Sequence, residues 1–554
     1  TLIPVNFKDL TPIEISRRLL GRNDTKFKRT GEAKSRFSTG VGSRPQKRDG
    51  AAYTAPTTKP QSIFMGLRVA RKKNRHITSA DITAAYLNAD LPPAQTRDKI
   101  PFRRIIQIDA ETAKLVLEHK PEWASYVNEG EGKNKSFKGQ MFFELNKALY
   151  GLMEAALAWY DNIIDTLNGM GFTQSLSDPC VLHNYKDGNR SSIILYVDDL
   201  LILAKDAAQT ETIVQQLRAK YKELTHTLPN EHGEIDYLNI QIQQSDDGIW
   251  LHQTTYVGKL FKDLQYTPKE KCIRKLPYQS NLFDIDPESK PINAEEREFY
   301  RKALGKLLYI SSKTRPILAL PISFLASRTI YATEQDLRKM HDVLDWLHSN
   351  QTGGLLIEHH EDDDMGIHIW ADASDNCHAD AKGHTGIYAS IGRKYGSPLL
   401  HISKKQTLVT KSSTESELIA VYVAIPWGQW AREAMTEWGY EQQYTTLYQD
   451  NMSAIVISHK GSAPFSKSAH INRRFMLAKQ HIEDGTLKMP HCSTDNMLSD
   501  PLTKTLNIDK AISHFRKMTG IEAIQLQKIQ LSKDEISALT SLFGHIEFIN
   551  DNQI

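Results

Sequence analysis

Tyr196-Val197-Asp198-Asp199 sets two adjacent carboxylates inside a long apolar stretch, with Ser192-Ile193-Ile194-Leu195 leading in and Leu200-Leu201-Ile202-Leu203-Ala204 leading out. Ionised carboxylates are almost never buried unless they are paired or bind a metal. The aliphatic and β-branched flanks predict the two strands of a tight hairpin with the Asp pair at its bend. A divalent cation at the hairpin tip is the simplest way to hold both charges; an ordinary turn, where Asp is common, is the alternative. A third carboxylate, Asp81, lies in another segment with apolar residues, Ile77 to Tyr86. Three carboxylates converging from two strands suit hard cations and an in-line phosphoryl displacement.

These stretches resemble a known family. Asp81-Ile82-Thr83-Ala84-Ala85-Tyr86-Leu87-Asn88, then Lys147-Ala148-Leu149-Tyr150-Gly151-Leu152 with Ala158-Trp159-Tyr160, then Leu195-Tyr196-Val197-Asp198-Asp199, are similar to the palm motifs of the reverse transcriptase of copia-type LTR retrotransposons. Trp370-Ala371-Asp372-Ala373, Ser403-Lys404-Lys405-Gln406, Ser412-Ser413-Thr414-Glu415-Ser416-Glu417 and Asp500-Pro501-Leu502-Thr503-Lys504 resemble that family's ribonuclease H. The resemblance implies a multidomain chain of α+β and α/β class. A right-hand polymerase of fingers, palm and thumb would be followed by a ribonuclease H-like domain with a mixed five-stranded sheet. The implied boundaries are a basic N-terminal arm with part of the fingers at 1–60, fingers and palm at 61–275, thumb and connection at 276–360, ribonuclease H at 361–510 and a C-terminal tail at 511–554.

Roles follow from the same resemblance. Asp81, Asp198 and Asp199 would hold Mg²⁺ and copy RNA, then DNA, into DNA from dNTPs. Asp372, Glu417, Asp450 and Asp500 would hold Mg²⁺ in a second site and cut the RNA strand of an RNA-DNA hybrid; Mn²⁺ also suits carboxylate oxygens. Glu415 is the rival of Glu417, which is preferred because it aligns with the family's Glu, while Glu415 suits a helix's first turn. Lys34 and Arg36 fall on a basic finger strand near the incoming triphosphate. Tyr86 matches an aromatic gate against a ribose 2′-hydroxyl, with a core tyrosine as the alternative. Gly151 would let the backbone approach a nucleotide closely. Tyr237, Leu238 and Asn239 match the primer-gripping hairpin, with Asn239 replacing a glycine; Asn tolerates positive φ better than most residues. His470 either assists proton transfer, contacts a phosphate or is structural. The implied primer is a tRNA or other RNA. A homodimer, or association with integrase and capsid, stays open; the implied location is cytoplasmic, within virus-like particles, with nuclear entry open.

Composition sets wider bounds. The 554 residues suffice for several domains. A net charge of +3 is only mildly basic and leaves a polyanionic partner open. Cys180, Cys272, Cys377 and Cys492 form no CxxC pair, so neither a zinc site nor a disulfide framework is expected, and a reducing compartment fits. No apolar run reaches the ~18 residues of a membrane span. The first residue, Thr1, suggests a fragment or a processed polyprotein product.

Along the chain, residues 1 to 60 read as a basic arm, either solvated or touching nucleic acid. Helices are expected over 61–75, 153–167 and 210–224, a single strand over 236–242, and a helical region over 295–347. His359-His360-Glu361-Asp362-Asp363-Asp364 reads as a solvated acidic linker marking a domain boundary rather than a metal site. Strands ending near Asp372 and Asp450, a helix carrying Glu417 and a last helix opened by Asp500 would bring the second carboxylate set together. A helical pattern over Asp534 to Leu542 carries no recognised chemistry.

Two departures weigh on activity. Met153-Glu154 stand where the family has Lys-Gln, and Ala156-Leu157 where it has Pro-Arg. Losing a cation beside a triphosphate weakens binding, so a decayed polymerase that keeps only ribonuclease H is one alternative. A domesticated, inactive nucleic-acid-binding scaffold is the other; the presence of all seven expected carboxylates speaks against it.

Overall fold

Four sheets of five, six, four and five strands organise the computed structural model, which describes residues 2–27, 33–39, 53–92, 94–96, 98–130, 132–185, 190–246, 248–268, 274–358, 364–461 and 469–520. This is a mixed α/β, multidomain chain.

The first sheet runs in the order Leu2–Val5, Met141–Leu145, Ile105–Ile108, Leu19–Phe27, Ala33–Thr39. Its last two strands pair antiparallel, with Lys34 opposite Lys26 and Arg36 opposite Asp24. Lys34 and Arg36 thus lie on a strand, as the resemblance implies, and Leu2–Val5 and Leu19–Phe27 add strands where the pattern alone suggested only a basic arm. Val5, Phe7 and Leu10 are buried against Ile105 and Phe142, an apolar set spread over elements too short to give a visible period.

The second sheet has the order Leu224–Thr227, His76–Ile82, Asp199–Ala204, Ser191–Tyr196, Val181–Asn184, Thr173–Gln174. Ile194, Leu201 and Leu203 share a core with helix Pro60–Lys72. Leu195, Leu200 and Ile202 share the opposite one with helices Ala155–Gly169 and Ala207–Lys220. Strands covered on both faces are apolar at every position, which is why the run around the Asp pair is unbroken.

The third sheet contains Glu234–Tyr237, Ile240–Gln244, Gly248–His252 and Gly354–Glu358. Residues 236–242, a strand by pattern and a hairpin by resemblance, span the turn of a hairpin in which Tyr237 pairs with Ile240. Leu238 and Asn239 turn the chain at φ 54° and 55°, the two-residue geometry that matches strand twist. Asn239 thus adopts the positive φ expected of it. Helices Ala294–Lys313, Ala319–Arg328 and Glu334–Ser349 follow, and the chain then returns to this sheet at Gly354–Glu358, inside the segment assigned to thumb and connection. Most of the acidic linker, residues 359–363, lies outside the described residues.

The fourth sheet has the order Ser397–Lys405, His384–Ile391, Ile367–Ser374, Thr445–Tyr448, Leu487–Lys488. The first three strands are antiparallel and the last two join in parallel. Helix Ser413–Glu437 packs on it, burying Ala420, Val421 and Ala424. Residues 511–519 do not begin a tail: helix Ile508–Thr519 buries Ala511, Ile512, Phe515 and Met518 in the core. Asp534 to Leu542 lies outside the described residues. Among the described residues no helix is long and apolar enough to cross a membrane.

Candidate active sites

The first carboxylate set sits at one end of the second sheet. Asp199 pairs with Asp81 across one ladder and with Tyr196 across the hairpin, leaving Val197-Asp198 as the bend. Val197 takes φ 58° there. Such a backbone is costly for a β-branched residue, and two contacts hold it: Trp159 Nε1 donates to the Val197 carbonyl at 2.6 Å, and Ile82 N donates to the Asp198 carbonyl at 3.1 Å. Burial, then Asp198 and Asp81, push the Asp199 carboxyl up to about 6. Asp236, which the sequence reading passed over, is a further charge acting on Asp199. Its carbonyl accepts from Ser79 Oγ at 3.2 Å.

Tyr237 is buried and its hydroxyl donates to the Ile194 carbonyl at 3.0 Å, so it bolts the turn of the third sheet to the Asp198 hairpin. The Leu238 carbonyl accepts from Tyr309 Oη, and Asn239 N donates to Asp236 Oδ1 at 3.2 Å. Tyr86 packs against Tyr150 with ring centroids 4.7 Å apart. Gly151 has φ +93°, and a Cβ there would lie 2.4 Å from the Thr39 carbonyl oxygen. The close approach at this glycine is thus made by the chain itself: Thr39 N donates to the Tyr150 carbonyl at 2.8 Å. Thr39 ends the strand bearing Lys34 and Arg36, so Gly151 anchors that basic hairpin. Glu154 pairs with Arg104 at 3.3 Å.

The second set is tighter. Asp372 lies near the end of strand Ile367–Ser374, Glu417 one turn into helix Ser413–Glu437 and Asp450 just past strand Thr445–Tyr448. Among the described residues these three alone form a group of at least three potential metal-ligating residues whose ligand atoms lie within 4.8 Å of one another. Ser416 Oγ donates to Asp375 Oδ1 at 2.7 Å, pinning the helix start to the sheet. Glu417 Oε2 accepts from Ala373 N at 3.1 Å and from Gln449 Nε2 at 3.2 Å. Glu415 instead accepts from Lys411 N at the helix start, leaving Glu417 beside Asp372. Burial first, then Asp372 and Asp450, holds Glu417 well above the usual carboxylate range. Burial and Asp372 also raise Asp450.

Asp500 opens a single 3₁₀ turn, Asp500–Leu502, rather than the last helix, which starts at Ile508. It stands outside the close trio. Lys504 Nζ lies 2.9 Å from Asp500 Oδ1 and 3.6 Å from Asp372 Oδ2, and Lys510 Nζ lies 3.2 Å from Asp500 Oδ2. Burial and Asp372 nevertheless push Asp500 up to about 6. Thr503 Oγ1 donates to Asp372 Oδ2. The sequence reading quoted Lys504 without a role and missed Gln449 and Lys510; only Lys504 carried a signal, through its motif. His470 lies on helix Ala469–Glu483.

Residues 100–277 match a family described as Reverse transcriptase (RNA-dependent DNA polymerase). That stretch holds Asp198 and Asp199; Asp81 precedes it and the second carboxylate set follows it. The chain is 26% identical over 410 residues to a retrovirus-related Pol polyprotein from transposon TNT 1-94 of Nicotiana tabacum, covering 73% of this chain and 30% of that protein. It is 23% identical over 495 residues to a truncated transposon Ty1-A Gag-Pol polyprotein of Saccharomyces cerevisiae, covering 87% of this chain and 38% of that one. The chain therefore spans about a third of the length of these relatives. A solved foamy viral protease-reverse transcriptase in complex with an RNA/DNA hybrid matches over 86% of this chain and 50% of that chain, at 12% identity and a TM-score of 0.45.

Proposed function

Because the chain resembles the Pol polyproteins of Ty1/copia-type transposons and carries a matched reverse transcriptase segment, we propose that it is an RNA- and DNA-directed DNA polymerase with a separate ribonuclease H site. The observation that carries the reading is the existence of two carboxylate sets on two different sheets, each at strand ends where distant parts of the chain meet. In this reading the first two sheets are fingers and palm, the helices from Ala294 to Ser349 are thumb and connection, and the fourth sheet is the ribonuclease H-like unit. The substrates would be dNTPs, an RNA or DNA template with its primer, and an RNA-DNA hybrid, handled within virus-like particles.

The donor sets fit a divalent cation. Burial first, and the crowding of Asp372, Glu417 and Asp450 second, raise the protonation of Glu417 and Asp450, and a hard cation relieves that repulsion with oxygen ligands alone. Mg²⁺ bound there, or at Asp81, Asp198 and Asp199, supplies Lewis-acid stabilisation of charge at phosphorus. The chain's own residues do the rest. Gln449 orients Glu417, Thr503 orients Asp372, and Lys504 and Lys510 together hold Asp500. Trp159 and Tyr237 fix the Asp198 bend against its neighbours. In this reading Tyr86 would sense the sugar and Lys34 and Arg36 would meet the triphosphate.

Primer extension on an RNA template, run beside cleavage of a labelled hybrid, tests the reading. Extension lost in Asp198→Asn supports it; cleavage without extension in the unaltered chain points to a decayed polymerase, a reading to which the Arg104–Glu154 pair at the departed motif lends weight. Neither activity would leave a scaffold.

A further inference from the structure

A cavity of about 440 Å³ lies between the second sheet and the fourth-sheet unit, lined by Val69, Lys73, Arg75, Tyr185, Arg190, Lys205, Trp438, Gly439 and Tyr440. Of these nine described residues four carry positive charge and none is acidic. Arg75, Arg190 and Lys205 stand at the starts or the end of the strands that carry Asp81, Tyr196 and Asp199 at their other ends. Six residues at ~3.3 Å each put the cavity about 20 Å from the first carboxylate set. Trp438 caps the helix that bears Glu417, about 30 Å along it at ~1.5 Å per residue. The cavity belongs to neither carboxylate site.

Its polar groups are incompletely satisfied. Arg190 lies over the Tyr185 ring at 4.1 Å and donates through Nη2 to the Glu437 carbonyl, yet among the described residues its buried Nε has no hydrogen-bond partner, and neither has the buried Tyr440 hydroxyl. Lys73 Nζ stands 5.6 Å from the Tyr440 ring. Burial, and the neighbouring Arg75, push Arg190 down to about 10, and burial lowers Arg75. Glu437, a carboxylate that acts on Arg190, is itself held by Ser175 Oγ and by the Leu176 and Ser177 N–H groups, which leaves the two repelling guanidiniums open to a further anion. The volume is that of a small-molecule site, and basic groups interleaved with aromatic rings suit a phosphate joined to a flat base.

We infer that this cavity binds the phosphate and base of a nucleotide, either free or as one unit of a single strand, at a site separate from both carboxylate sets. Guanidiniums of Arg75 and Arg190 and ammoniums of Lys73 and Lys205 would meet the phosphates, with Tyr185 and Tyr440 beside the base.

The test uses the full chain in EDTA, which removes metal-dependent triphosphate binding at the carboxylates. Two probes are titrated by fluorescence anisotropy: a labelled ATP and a labelled single-stranded DNA of about ten nucleotides. Lys73 and Lys205 are exposed, so Lys73→Glu with Lys205→Glu reverses the charge without touching a core; Lys205→Glu alone serves if the pair lowers the thermal transition. The expected result is a loss of affinity of about tenfold or more, the equivalent of one charged contact, with Asp198→Asn unchanged and pyrophosphate competing. Binding of ATP that displaces the DNA supports a free nucleotide; binding of the DNA alone, with the same loss, supports a strand. Charge reversal that leaves both probes unaffected, or failure of both to saturate, overturns the proposal.

Discussion

Asp81 and Asp199 face each other directly across two antiparallel strands. Like charges placed opposite in a ladder are destabilising, and burial with Asp198 and Asp81 lifts Asp199 to about 6. A carboxyl whose folded pKa is raised binds protons more tightly when folded, so stability falls as pH rises from the ordinary range near 4 through about 6, and the full cost persists above that. Asp199→Asn is expected to raise stability at pH 7.5 by ~1 kcal/mol, discounted for partial exposure, while abolishing DNA synthesis. Thermal melts between pH 4 and 8 check it: the gain should shrink toward pH 4, and Mg²⁺ should raise the transition of the unaltered chain more than that of the variant.

Two separate sites predict two separable losses. Asp198→Asn should cut primer extension by about 10³-fold or more and leave hybrid cleavage within about twofold; Asp450→Asn should do the reverse. Parallel assays on one preparation decide, and loss of both activities in either variant would falsify the two-site assignment.

Lys504 is the counter-charge of a crowded pocket. Its ammonium reaches Asp500 and Asp372; though burial opposes it, those two carboxylates keep it firmly protonated. Lys504→Met leaves buried carboxylates without that partner, for an expected destabilisation of ~2 kcal/mol in EDTA, within the range for a broken and partly exposed pair. Added Mg²⁺ should restore part of it. Urea unfolding with and without the cation measures both, and equal loss in the two conditions would remove Lys504 from the site.

Gly151→Ala forces a Cβ to within 2.4 Å of the Thr39 carbonyl oxygen, at a φ of +93°. Backbone cannot yield as a flexible side chain can, so the strand ending at Thr39 must shift. We expect ~2 kcal/mol of destabilisation and, because that strand bears Lys34 and Arg36, a KM for dNTP raised more than kcat is lowered. Steady-state extension kinetics test the split.

Much of this was legible in the sequence because it lay in contiguous patterns. The apolar run around Asp198 and Asp199 fixed the hairpin, and the ends of elements near Asp372, Glu417 and Asp450 pointed to their convergence. What stayed hidden was relational. Gly151 looked like a place for a ligand because nothing local reveals that Thr39, more than a hundred positions earlier, fills the space. The turn two residues after Asp236 read as continuous strand because it uses Leu238, a residue type that rarely takes positive φ. Lys510 and Asp500 belong to different elements, so no spacing rule links them. Leu2–Val5 stayed hidden because a short edge strand needs few apolar positions.

Strand Gly354–Glu358 seals the edge of Gly248–His252, whose five residues are all buried. A fragment ended before Gly354 would present Ile249, Trp250 and Leu251 on an open, hydrogen-bond-hungry border, the kind of surface on which chains stack into insoluble aggregates. Anyone dissecting this protein into expressible halves should therefore cut after Glu358, so that the amino-terminal piece keeps its last strand.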